Sequence, residues 1–195
     1  MAAPRYNIAM TATPWPDHLL TLDEWEDLPD SFRNFELVKG LLVKEPRPAP
    51  LHQRAIWRLV DQLDSQLPDE LTALPEVEVI VDARHPRTIR VPDVVVTTNK
   101  RAQENPPRLD AADVLLAVEI VSPESGRTDR VTKLTEYANA GIPHYWTVDL
   151  DEPATLTVYI LVDRDYEIVA QATETASLSE PAAITIDVRA LTSRR

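Results

Sequence analysis

The chain has 195 residues, 44% of them hydrophobic and 27% charged, which is enough apolar material for one well-filled core. Its formal net charge of −12 argues against a general affinity for nucleic acid, and the absence of cysteine excludes disulfides, thiolate metal sites and cysteine nucleophiles. No apolar run reaches the roughly 18 residues of a membrane span. The opening MAAPRYNIAMTATPWP lacks the apolar centre of a signal peptide. Residues 1–20 therefore read as a loose N-terminal tail, with Met10 as an alternative start, ahead of a single domain over 21–192 in a cytoplasmic protein.

TLDEWEDLPD (21–30) predicts a short helix, with Thr21 and Glu24 as a capping box and Pro29 as its stop. NFELVKGLLVKE (34–45) has two apolar-rich arms about Lys39 and Gly40, the pattern of a β-hairpin. Apolar residues at 51, 55, 56, 59, 60, 63 and 67 keep helical spacing, and Pro68 closes that segment. ALPEVEVIVDA (73–83) and IRVPDVVVTT (89–98) read as strands, and DVLLAVEIV (113–121) as a central one. DRVTKLTEYANAG (129–141) reads as a helix closed by Gly141. HYWTVDL, ATLTVYILV and YEIVAQA follow as strands, with AAITIDV as a fourth. The pattern is that of an α+β (α/β-like) fold around a mixed sheet. One basic stretch stands out: residues 84–108 carry six cations against Asp93 and Glu104, a balance of +4, leaving −16 for the remainder. It reads either as a solvated loop or as a phosphate-facing edge.

Two apolar strands each contain a carboxylate. On 113–121, Leu115, Ala117, Glu119 and Val121 share one face; on the earlier strand Val91, Asp93 and Val95 share one. If these strands are neighbours, Asp93 and Glu119 meet, and two buried carboxylates repel unless a proton or a cation lies between them. Mg²⁺ or Mn²⁺ fits such a pair. Mg²⁺ binds through one or two carboxylates plus water at roughly 2.0–2.1 Å, and the backbone carbonyl of Val121 is a plausible third protein ligand. On the next helix Asp129, Lys133 and Tyr137 fall on one face. The ammonium of Lys133 either points at the metal site, to orient a water or stabilise the phosphorus, or forms an ordinary surface pair with Asp129.

VPDVVV (91–96), LLAVEIVSPES (115–125) and DRVTKLTEYANAGIPHYWTVD (129–149) closely resemble the Uma-type restriction endonuclease family, a branch of the PD-(D/E)XK nuclease superfamily. The resemblance covers roughly 20–190 and implies a restriction-endonuclease-like mixed sheet flanked by helices, with an N-terminal hairpin. In that superfamily the first acid follows a proline, as Asp93 follows Pro92, and the second acid and a lysine form E-x-K on the next strand. Here Val121 stands at the lysine position, and Lys133 on the following helix takes the place the Uma-type branch uses. The resemblance also implies a role for Glu36, as a second metal ligand or water holder, against its reading as a solvent-facing hairpin acid. For His52 the alternatives are phosphate contact, orientation of Glu36, or a local helix-start role. For Arg90 they are phosphate binding or solvent exposure.

Tyr145 and Trp146 fit core packing better than base stacking, and Asp149 fits a turn. Ser122, His144 and Asp149 supply the residue types of a hydrolase triad, but there is no G-x-S-x-G elbow. The histidines (18, 52, 85, 144) have no H-x-x-x-H spacing, and the three glycines (40, 126, 141) cannot build a phosphate-binding loop. The expected activity is Mg²⁺- or Mn²⁺-dependent hydrolysis of phosphodiesters in DNA. Asp93, Glu119 and the Val121 carbonyl would hold the metal, Lys133 would assist the water, and Glu36 would be auxiliary. Double-strand cleavage by two such sites suggests a homodimer. The alternative is a catalytically inactive nuclease-fold protein acting as a protein-interaction or DNA-binding module, favoured by the net charge and by Val121.

Overall fold

A computed structural model describes residues 15–32, 34–44, 47–121 and 127–193, with the side chains of 127–130 left aside. Met10, Ser122, Gly126 and the side chain of Asp129 lie outside the described residues. Local chemistry sets the first elements. Thr21 and Glu24 cap each other's backbone at the start of α1 (Leu22–Glu26). Lys39 and Gly40 take positive φ of 50° and 76°, the conformation of a tight hairpin turn between β1 (Phe35–Val38) and β2 (Leu41–Lys44). A Cβ at Gly40 would come within 2.9 Å of the Leu19 Cβ, so only glycine fits there. Leu19 approaches the hairpin turn, although most of residues 15–19 stay exposed. Trp15 stacks edge-on against Phe35, and Leu20 is buried, its N–H donating to the Gly40 carbonyl.

The helical spacing from residue 51 becomes α2 (Pro50–Asp64), which buries Ala55, Ile56, Leu59 and Leu63; Pro50 suits its first turn because no N–H is needed there. The two stretches expected as single strands are each broken in two. Residues 73–83 divide between β3 (Leu71–Pro75) and β4 (Val79–Asp82), and 89–98 between β5 (Thr88–Arg90) and β6 (Val94–Thr98). Pro92 has no N–H for the ladder, and Glu76 takes φ of 51° beside it, donating its N–H to the Asp93 carbonyl. The two breaks lie side by side, so the paired strands change sheets together. Asp93 sits at that corner.

Next come α3 (Asn99–Gln103), β7 (Leu109–Asp110), β8 (Val114–Val121) and α4 (Arg127–Ala140), and then β9 (His144–Asp149), β10 (Thr155–Val162) and β11 (Asp165–Ala172). β12 (Thr175–Leu178), β13 (Ile184–Asp187) and α5 (Val188–Thr192) complete the described chain. Of these, α3, β7, β12 and α5 have no counterpart among the expected elements; all have five residues or fewer, too few for a periodic signal. The principal sheet has the order β11-β10-β9-β8-β6-β3, with β8 and β9 parallel. A second sheet runs β2-β1-β5-β4-β7, and β12 pairs with β13. This is the mixed α+β architecture expected from the sequence.

The principal sheet is covered on both faces, which is why its middle strands read as apolar runs. Leu116, Val118 and Ile120 of β8 pack toward α2 with Val94, Val96 and Trp146. Ala117 lies on the opposite face with Val95, Tyr145 and Tyr137 of α4. Glu119 has the parity of Ala117. It therefore faces α4.

Leu59 is fully buried in the α2 interface. Leu59→Ala is expected to lower unfolding free energy by about 2–5 kcal/mol, read as an earlier midpoint in urea.

Candidate active site

β6 and β8 are neighbours, with Val94 opposite Val118 and Val95 opposite Ala117. One further step of this register sets Asp93 across from Glu119. The carboxylate of Asp93 continues the ladder where Pro92 interrupts it: the Ile120 N–H donates to its Oδ2 at 2.5 Å. Its Oδ1 lies 2.9 Å from Nε2 of His52, in the first turn of α2. His52 therefore meets Asp93 rather than Glu36. Burial opposes a charge on His52, but the hydrogen bond and charge of Asp93 outweigh it, and the histidine's pKa is raised.

Glu119 receives two donors from α4. The Lys133 ammonium donates to Oε2 at 3.1 Å and the Tyr137 hydroxyl to Oε1 at 2.7 Å. Lys133 is buried and also stands 3.8 Å from Oε1 of Glu36, which removes the reading of it as a surface lysine. The Glu119 carboxyl is pushed up to about 7, chiefly by burial, with Lys133 pulling it down and the charges of Asp93 and Glu36 pushing it up. Asp93 is thus close enough to Glu119 for its charge to be felt. Tyr137 is pushed up too, by burial and then by the charges of Glu119 and Glu36.

Glu36 is buried, not solvent-facing. It accepts from Arg90 Nη1 at 2.6 Å and from the Val91 N–H at 2.9 Å. Burial opposes its charge, yet Lys133, Arg90 and these hydrogen bonds hold its pKa below the ordinary value. Arg90 is 2% exposed, so the solvent-exposed reading is corrected, and its Nε donates to Glu136 on α4 at 2.8 Å. Other cations of the basic stretch are also matched by acids: Arg84 with Asp82, Arg101 with Asp113 and Glu104, Arg108 with Glu78 and Glu26. The stretch is a source of internal ion pairs as well as loop surface.

Sequence reasoning gave no role to Glu136 or to the Tyr137 hydroxyl. The signal was present: Lys133, Glu136 and Tyr137 stand at i, i+3 and i+4, one face of a helix. Tyr145 and Trp146 are buried in the cores, as core packing requires.

The sequence matches the Uma2 family, described as "Putative restriction endonuclease", over residues 12–192. The chain belongs to that family. No curated protein matches it. Among solved structures it is similar to a "putative nuclease belonging to DUF820" from Anabaena variabilis, with 24% identity and a TM-score of 0.61. That likeness covers 76% of this chain and 83% of the other. It carries the fold.

The donor set of the Uma2 chain suits a hard cation. Asp93, Glu119, Glu36 and Glu136 are four acids against two basic side chains, Lys133 and Arg90, and one histidine. A buried excess of negative charge with oxygen donors is the chemistry that Mg²⁺ or Mn²⁺ answers. Among the described residues no three His, Cys, Asp or Glu gather as a metal-binding group. An ion here would draw on two carboxylates, backbone and water.

Two measurements probe this network. Arg90→Ala leaves Glu36 and Glu136 buried without their guanidinium and is expected to cost about 3–5 kcal/mol in urea unfolding; adding Glu136→Gln should recover part of the loss. The second concerns pH. Because the pKa of Glu119 rises from 4.5 to about 7 on folding, the folded state binds its proton more tightly. Ionisation over that interval therefore destabilises the fold. The raised pKa of His52 contributes stability that is complete below 6.5 and is lost as pH climbs through the folded value. Both act in one direction; the lowered pKa of His144 opposes them below 6.5, and the depressed pKa of Glu36 acts only below its ordinary 4.5. In EDTA the melting temperature should fall between about pH 5 and pH 8, and Glu119→Gln should flatten the lower half of that slope. A melting temperature that rises over this interval would contradict the assignment.

Proposed function

We propose that this Uma2 protein is a divalent-metal-dependent endonuclease that hydrolyses phosphodiester bonds in DNA. The observation that carries the reading is the meeting, at the corner between two sheets, of Asp93, Glu119 and Lys133. Asp93 and Glu119, with the Val121 carbonyl, would hold Mg²⁺ or Mn²⁺. Such an ion, when bound, supplies positive charge against the phosphate and acidifies water.

The chain's own residues do the rest. His52 and the Ile120 N–H fix Asp93. Tyr137 fixes one oxygen of Glu119. Lys133, on the other oxygen of Glu119, would orient the attacking water or offset negative charge building on the phosphorus. Water adds to phosphorus, the bond to the leaving sugar oxygen breaks, and that oxygen takes up a proton. The buried setting strengthens each charge interaction relative to bulk water. Glu36 is auxiliary: it helps hold Lys133 and is itself held by Arg90. Arg90, enclosed by Glu36 and Glu136, fits an internal support better than a phosphate contact. A homodimer working in the cytoplasm completes the reading, since two sites are what cleavage of both strands would use.

The test is plasmid nicking by purified protein in Mg²⁺, Mn²⁺ or EDTA. Wild type should nick with either metal and not in EDTA. Glu119→Gln and Lys133→Met should each lose about a hundredfold or more. Nicking by Glu119→Gln at the wild-type rate, or none under either metal, would instead favour the alternative of an inactive binding module.

A further inference from the structure

A groove of about 550 Å³ opens on the α4 face of the principal sheet, beside the acid cluster. Its floor includes Thr147, which register places directly opposite Glu119 on β9, and Val121, which pairs with Asp149 in the same floor. Groove and Glu119 therefore share one sheet face. Glu119 and Val121 are two residues apart, a rise of about 7 Å along the strand.

The chemistry of the lining selects its occupant. Val131 and Leu134 of α4 form an apolar wall, and Val131 is 61% exposed. Opposite them, Thr157 and Gln171 present hydrogen-bonding groups, with the Gln171 amide 3.3 Å from the Thr157 hydroxyl. Asp149 and Asp151 add negative charge, and none of the described lining residues is Lys or Arg. Phosphate is disfavoured in such a place. An uncharged, flat group with polar edges is favoured. The volume lies within the range of small-ligand sites, which combine apolar walls with a few placed polar groups.

We infer that the groove holds the base of the nucleotide next to the phosphate at Asp93 and Glu119, so that the enzyme grips an unstacked base while the charged backbone stays at the acids. This rests on the nuclease reading and deepens it by naming a single-stranded or locally opened substrate. Base capture of this kind is sequence-tolerant when the contacts are mainly apolar, and Gln171 and Thr157 would add a preference through the base edge.

The experiment compares binding of a fluorescent thymidine decamer with that of a decamer of abasic residues, which keeps every phosphate. Anisotropy is read in Ca²⁺, another cation that takes oxygen ligands. Wild type should bind the thymidine decamer about tenfold more tightly. Val131→Trp and Gln171→Trp narrow the groove from exposed positions, so folding is spared, and both should pull thymidine binding down to the abasic level. Thr157→Val, a near-isosteric change, should produce a smaller loss in the same direction. Equal binding of the two decamers by wild type, binding of neither, or a ratio untouched by the groove variants overturns the inference. Plasmid nicking separates the two readings. A protein that nicks but does not discriminate loses only the groove; one that discriminates but never nicks keeps the groove and loses the nuclease.

Discussion

Arg90 ends a short strand of the smaller sheet and is buried between two carboxylates, Glu36 on the neighbouring strand and Glu136 on α4. Since α4 lies over the principal sheet, one guanidinium ties both sheets and the helix together. A buried ion pair adds little net stability, because desolvation offsets much of the attraction. Its effect is on geometry: an unpaired partner in that interior is so unfavourable that the three groups must stay in register. Once they do, Glu36 stands ionised beside Lys133, and Lys133 stands beside Glu119.

The second constraint is the corner at Pro92 and Asp93. A continuous strand would have kept Asp93 in a ladder, with its carboxylate on a sheet face. The break lets the side chain take over a backbone role, accepting the Ile120 N–H, while its other oxygen reaches His52 on the opposite helix. One acid is then gripped from the α2 side and the other from the α4 side. The result is a small pool of negative charge at the meeting of two sheets and two helices, with the basic groups around it already committed to partners. Burial, with the charges of Asp93 and Glu36 adding to it, pushes the Glu119 carboxyl up to about 7 against the pull of Lys133. A divalent cation would offset that negative charge.

Elements with a long periodic pattern are legible in the amino-acid sequence: α2, β8, α4 and the hairpin about Gly40 are where spacing and turn chemistry put them. The acids Asp93 and Glu119 are legible too, as carboxylates within apolar runs, and family resemblance singles out Glu36, His52, Arg90 and Lys133. The partners of those residues are less legible. His52 bonds Asp93 across 41 positions of sequence, and Arg90 bonds Glu36 across 54; no local pattern encodes a pairing at that distance. The same holds for the strand breaks at 76 and 92. Proline and a positive φ interrupt a ladder locally, but whether the chain resumes in the same sheet or another is settled by what else packs there.

Composition and periodicity by themselves determined that this is a disulfide-free α+β protein with two carboxylates in apolar strands and a lysine on the helix that follows. These follow from side-chain type and from repeat lengths of about two and 3.6 residues, which are local quantities. Tertiary structure alone decided that Arg90 is interior, that Tyr137 and His52 each hold one acid, and that the broken strands bring Asp93 to a corner. Such outcomes depend on which surfaces exclude water together, and burial is a property of the assembled fold rather than of any stretch of chain.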